Sequence, residues 1–264
     1  MELVNGTHVR LIAEGPADGR WNMAVDEALL DAVSSGASGP IVRLYGFEPA
    51  TLSVGRFQRT AGTIDFERLA ADGLLFVRRP SGGQAVLHAE ELTYAVILGK
   101  DHLAPFGKRQ VYRFAAPLLL AGLAALGLTE AVSSPAQRGN PMNPDCFGST
   151  GEYEIDTAGG RKLVGSAQMI TRTAVLQHGS IPLSRTSRLI KRYLLAETGD
   201  PDHASSVSEA MGSPVDFPAA QVAFAAAVGA ALHAAPGALS DEELAQADRL
   251  YREKYTRDEW NRSS

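Results

Sequence analysis

The chain has one cysteine among its 264 residues. An internal disulfide is therefore excluded, and so is a zinc cluster built on several thiolates. The lone thiol fits a reducing compartment. A basic excess is lacking too: Lys+Arg number 25 against 30 Asp+Glu, a formal net charge of −5. That excludes an overall footprint for nucleic acid and leaves any basic docking surface local. The run Ala219 to Ala235 is broken by Gln221 and His233 and built on alanine rather than leucine, so it reads as a half-buried helix, not a membrane span. The first ten residues lack the basic segment and apolar stretch of a signal peptide. The expectation is a cytoplasmic protein with neither membrane nor nucleic acid as partner. No two-histidine-plus-carboxylate pattern at metal spacing occurs, so no metal is expected.

The sequence does hold an ordinary globular composition, 45% hydrophobic and 21% charged, enough to bury a sizeable core. Periodicity predicts helices over Asn22 to Val33, Ile64 to Ala71 and Arg109 to Leu126, the last either kinked or split by Pro117. Strands are expected over Ile41 to Tyr45, Thr51 to Val54, Leu74 to Arg79, Leu92 to Leu98, Tyr153 to Ile155, Lys162 to Ile170 and Ala174 to Pro182. Gly159-Gly160 marks a hairpin turn between two of them. Ser133 to Thr150, rich in Pro, Asn, Ser and Gly, reads as a loop. From about residue 185 the pattern is helical: Thr186 to about Glu197, the Ala-rich run, and Ser240 to Tyr255 with a Ser240/Glu243 capping box. Strands in the middle and helices at both ends predict an α+β fold: one domain over 1–264, with a mixed, largely antiparallel sheet flanked by helices.

Two segments carry the chemistry. In Arg78-Arg79-Pro80-Ser81-Gly82-Gly83, followed by a β-prone run to His88, the glycines let a backbone approach a ligand and the arginines offer several donors to an anion or carbonyl. The spacing is not that of a P-loop, and two glycines between strands also suit a bare hairpin. The second segment is Lys162-Leu163-Val164-Gly165-Ser166-Ala167-Gln168, then Gln177-His178-Gly179-Ser180. A lone cysteine is most often inert and buried. Cys146, however, sits in a polar loop after Pro144-Asp145, where a thiolate can serve as an acyl nucleophile. Lys162 reads either as a solvated charge or as the cation that offsets thiolate or oxyanion charge. His88 and His178 each read either as satisfied, half-buried histidines or as pocket residues. Small Gly165, Ser166 and Ala167 leave room for a ligand chain.

Taken in order, these residues resemble the biotin/lipoate protein ligase and transferase family. The likeness runs through Asn22-Met23-Ala24-Val25-Asp26-Glu27, Tyr45-Gly46-Phe47-Glu48-Pro49, Leu52 to Gln58, Arg78 to His88 and Glu91-Leu92-Thr93-Tyr94. It continues at Cys146-Phe147, Tyr153-Glu154, Lys162 to Gln168, Leu176 to Ser180, and Tyr255 with Asp258 to Asn261. It is nearest to the cysteine-dependent octanoyltransferase branch. That resemblance implies a two-step transfer without ATP or another cofactor. Cys146 takes an octanoyl group from acyl carrier protein, and a lipoyl-domain lysine then receives it, with Lys162 positioning the carbonyl. It implies that Arg79, Ser81, Gly82, Gly83, His88, Gly165, Ser166, Ala167 and His178 line the acyl pocket. It further implies acidic partners, met by a local basic surface drawn from Arg78, Lys108, Arg109, Arg113 or Arg138. Gln84, Ala89 and Gly151 depart from the family's usual residues. The alternatives are a lipoate ligase using ATP and Mg, an amidotransferase between lipoyl domains, and a non-catalytic acyl-binding protein. An end soon after Trp260 and an idle Cys146 argue against the ligase.

Overall fold

A computed structural model of the protein describes residues 3, 7–134, 154–195 and 203–263. Chain order runs β1 (Arg10–Ala17), α1 (Gly19–Ser35), β2 (Ile41–Phe47), β3 (Thr51–Val54), α2 (Phe66–Ala71), β4 (Leu75–Arg78), β5 (Val86–His88), β6 (Glu91–Gly99) and α3 (Lys108–Ala125). Then follow β7 (Val132–Ser134), β8 (Glu154–Asp156), β9 (Lys162–Ile170), β10 (Ala174–Pro182) and a 3-10 helix (Arg185–Tyr193). The chain closes with α4 (Val207–Met211), α5 (Phe217–Leu232), β11 (Ala235–Gly237), α6 (Asp241–Leu250), a π-helical turn (Tyr251–Tyr255) and α7 (Asp258–Asn261).

The main sheet has the order β11-β1-β2-β6-β10-β9-β8-β7. Its β11–β1 and β1–β2 pairs are parallel and the rest are antiparallel, as the mixed pattern predicts. One face packs on α1 through Tyr45, Ala95, Ile97 and Leu176, with Leu29 and Leu30 opposite. The other packs on α3 and α5 through Leu44, Val96, Leu98 and Val175. Burial on both faces is why every residue of β2 and β6 is buried. A second sheet, β4-β3-β5, encloses its own cluster with Ile190, Tyr193 and Leu194. The chain crosses between the sheets twice, from β2 to β3 and from β5 to β6. At the second crossing Glu90 takes a left-handed backbone, φ 49°.

Local signals explain most boundaries. Asp18 caps α1 by accepting from the Arg20 and Trp21 amides at 2.7 and 3.4 Å, so the helix starts before the apolar period does. Pro117 neither splits nor ends α3; it lies on the exposed side, where water can satisfy the freed carbonyl. Two expectations are corrected. Thr186 onward forms the 3-10 helix, and Leu194 is extended and bridges to Ile64. The helical C-terminal portion also contains a strand, β11, because Ala235–Gly237 completes the edge beside β1. No described helix is long and apolar enough to cross a membrane.

The contact of α3 with α5 is set by one glycine. A Cβ on Gly122 would lie 2.4 Å from the Phe224 ring. Gly122→Ala is expected to destabilise the protein by ~1–3 kcal/mol through overpacking, despite alanine's better helix propensity. Urea unfolding checks this, and Gly122→Ala with Phe224→Leu should recover most of the loss.

Candidate active site

The Arg78-to-His88 segment lies where the two sheets meet, and its two arginines do different work. Arg78 is buried. Its Nη1 donates to the carbonyls of Gly55, Arg56 and Gln58 at 3.0, 3.0 and 2.8 Å, and its Nε to the Trp260 carbonyl at 3.0 Å. It is therefore a structural clamp, not part of a basic docking surface. Arg79 donates from Nη1 to Ser53 Oγ at 2.5 Å and from Nη2 to the carbonyls of Gly82 and Gln84 at 3.1 and 2.9 Å. The bond at residue 84 is to backbone, so glutamine there leaves it intact. Gly83 has φ 91°, and the loop lies so close to Gly55 that a Cβ on Gly55 would fall 1.9 Å from the Gly83 carbonyl.

Both histidines belong to buried relays. Asp26, on the inner face of α1, accepts from Arg43 Nη1 at 2.8 Å, Tyr45 Oη at 2.7 Å and His178 Nδ1 at 2.8 Å. His178 Nε2 lies 2.6 Å from Ser81 Oγ. Burial pushes the Asp26 carboxyl up, but the bond from His178 and the Arg43 charge more than offset it, leaving Asp26 below the usual carboxylate range. Burial outweighs the pull of Asp26 on His178, so this imidazole is held below its ordinary value and is neutral. Its Nδ1 then donates to Asp26 and its Nε2 accepts from Ser81. The second relay has the same form: His88 Nδ1 bonds Glu91 at 2.7 Å and Nε2 lies 2.6 Å from Ser53 Oγ. Glu91 also accepts from Thr93 and Ser180, and the His88 ring stacks on Phe47 with centroids 4.0 Å apart.

Above the relays opens a cleft with about 350 Å³ of empty space, mouth included, at the small end of the ~300–1,000 Å³ usual for ligand sites. Arg79, His88, Gly165, Ser166, Ala167 and His178 all line it. Gly82 and Gly83 instead line an adjoining, more open cleft with Lys108, Arg109 and Tyr112; the two share a wall at Ser166 and Ala167. Ser81 is fully buried and lines neither. Lys162 is buried at the head of β9, the strand that goes on to supply Gly165 and Ala167, and lines neither cleft itself. Cys146, Gly151 and Arg138 lie outside the described residues.

The sequence reading did not place Met23, Tyr45, Phe47, Val86, Thr93, Gly179 and Ser180 in the cleft. A signal existed. Directly opposed residues of antiparallel strands share a face, and the register pairs Tyr45 with Thr93, His178 with Ala167 and Ser180 with Gly165. Gly179 is on the opposite face, where a Cβ would meet Tyr94 at 2.6 Å and the Gly165 carbonyl at 2.5 Å.

Stability is expected to depend on pH through His178. A histidine depressed in the folded state contributes fully above its unfolded value of 6.5, and the contribution is lost as pH falls below that. Unfolding free energy should therefore fall from pH 7 to pH 5, with up to about 1.4 kcal/mol per pH unit from this one proton. Urea titrations at several pH values should show a shallower decline in His178→Gln; an unchanged slope would count against it. Asp26 acts in the same direction lower down, its contribution being lost as pH falls through and below 3.8.

With this geometry in hand, the likeness to known proteins becomes specific. A family profile described as lipoyl protein ligase A/B catalytic domain matches residues 18–229. The chain is 40% identical over 272 aligned positions to a protein of Kyrpidia tusciae named octanoyltransferase LipM, covering 96% of this chain and 97% of that one. It is 37% identical to a protein of the same name from Bacillus subtilis, over 96% and 97% of the two chains. Among solved structures, a lipoate-protein ligase A bound with ATP superposes with a TM-score of 0.78 at 23% identity, covering 97% and 98%. The putative lipoate protein ligase Ta0514 from T. acidophilum, with bound lipoic acid, gives the same TM-score and identity. At that identity the structures speak for the fold. The fold, the profile and the near-full-length relatives together establish that this chain belongs to the lipoyl protein ligase A/B catalytic domain family.

Proposed function

We propose that the protein transfers an octanoyl group from acyl carrier protein to a lysine of a lipoyl domain through a thioester on Cys146. The observation that carries this reading is the narrow slot walled by Gly165, Ala167 and His88 and floored by relays whose polar groups bond one another. A slot whose polar lining is already hydrogen-bonded suits an alkyl chain, which gains ~0.8 kcal/mol per buried methylene. Near-full-length likeness to proteins named octanoyltransferase supports the same reading. In the first step the Cys146 thiolate attacks the donor's thioester carbonyl; a new C–S bond forms as the donor's C–S bond breaks, and the carrier's sulfur leaves as a thiolate that takes up the proton Cys146 gave up on ionising. In the second the acceptor lysine's neutral amine attacks the Cys146 thioester, giving an amide and restoring the thiol. Thioester to amide runs downhill, so no nucleotide is needed.

Lys162 supplies the cation that offsets charge on the carbonyl oxygen in this scheme. Arg79 and His88 shape one side of the acyl slot, Gly165, Ser166, Ala167 and His178 the other. Gly82 and Gly83 face the path of the carrier arm, and Ser81 holds their loop. We take residues 1–264 as one catalytic domain, a reading supported by the pairing of β11 with β1, which brings Arg10–Ile12 and Ala235–Gly237 into one sheet.

Mixing the protein with octanoyl-acyl carrier protein, without ATP, should add one octanoyl mass, and a lipoyl domain should remove it. Cys146→Ala should fold and gain no mass; transfer by that variant would sink the covalent route. Lys162→Ala should slow loading by about 100-fold or more. Lipoate transfer that requires ATP, with no adduct, would instead indicate a ligase.

A further inference from the structure

Phe57 is the most exposed large apolar side chain among the described residues, at 86%. Its position is fixed rather than loose. The three carbonyls that Arg78 captures, those of Gly55, Arg56 and Gln58, surround it in sequence. The Arg56 amide donates to the Ser81 carbonyl at 2.8 Å, and the Gln58 amide to the Gly55 carbonyl at 3.0 Å. An aromatic side chain held in water on a backbone with its bonds made is the arrangement of a pre-organised binding anchor. Arg56 and Arg59 flank it, both exposed, and neither forms an ion pair among the described residues. The Arg56 guanidinium lies 5.6 Å from the Phe57 ring and 5.9 Å from that of Trp260. A local cationic turn on a chain of net charge −5 calls for an anionic partner. The turn abuts Gly83, beside the clefts.

Resting on the transferase reading above, we propose that the turn Gly55 to Arg59 docks the acceptor: an acidic, lysine-bearing domain that receives Phe57 on its surface and meets Arg56 and Arg59 with carboxylates. The choice between donor and acceptor follows from reach. A donor that presents its acyl group on a long prosthetic arm keeps its protein body away from the mouth. An acceptor lysine has only a four-carbon stem, so its whole domain must press against the mouth, where this turn stands.

Phe57→Ser, harmless to the fold because the side chain packs on little, provides the test. The probe for binding is a purified lipoyl domain whose acceptor lysine is replaced by arginine, titrated calorimetrically into the unloaded protein. The probe for chemistry is the octanoyl-loaded protein mixed with the unmodified lipoyl domain. We expect Phe57→Ser to bind the domain at least 10-fold more weakly and to raise its KM with kcat unchanged, while loading from octanoyl-acyl carrier protein keeps its rate. Arg56→Glu with Arg59→Glu should act alike and flatten the salt dependence. Unchanged domain affinity in Phe57→Ser overturns the proposal, and so does slowed loading with normal domain binding. If the unaltered protein never loads, the transferase reading fails, and the titration alone decides the docking surface.

Discussion

A carboxylate with no access to water must find all its compensation inside the protein, and Asp26 does so with three donors from two strands. Arg43 and Tyr45 come from β2 and His178 from β10. Arg43 is itself tied to Glu14 at 2.6 Å and to the Asn22 side chain at 2.9 Å. Satisfying one charge therefore fixes the rotation of α1, the height of two strands and, through Ser81, the glycine loop. The helix cannot turn, nor β10 slip, without stranding the charge.

The second relay works across the sheet boundary. Ser53 belongs to the small sheet and Glu91 opens a strand of the large one, with His88 between them. Arg79 then links Ser53 to the loop backbone. The cleft thus has a floor of mutually satisfied polar groups, with the small residues Gly165, Ser166 and Ala167 along one wall. Polar groups committed to one another do not demand a polar ligand, so a site rich in His, Ser and carboxylate need not be a polar one.

Much of this was legible in sequence where local chemistry decides. The bounds of β9 and β10, the capping box at Ser240, and the gathering of Arg79, His88, Gly165 and His178 around one site all follow from pattern or resemblance. What sequence did not show was destination. Arg78 and Arg79 are adjacent and chemically alike, yet one is spent on a turn and the C-terminal segment and the other on the loop and Ser53. The three residues of β11 carry no strand signal of their own; a free edge beside β1 recruits them. The nine-residue stretch from Arg185 has helical polarity but tightens to 3-10 geometry, with only Ser187, Ile190 and Tyr193 buried. The i,i+3 repeat of those three matches three residues per turn, a distinction the sequence pattern carries only faintly.

The clamp at Arg78 also bears on how the chain is made. Its backbone amide is held by the Asn261 side chain at 2.9 Å, its guanidinium by the Trp260 carbonyl, and its own carbonyl by the Trp260 indole at 2.9 Å. The partners lie more than 180 positions downstream. During synthesis the glycine loop and the turn beside it thus lack this support until Trp260 and Asn261 have been added. Completion of the loop waits on a segment made long after the loop itself.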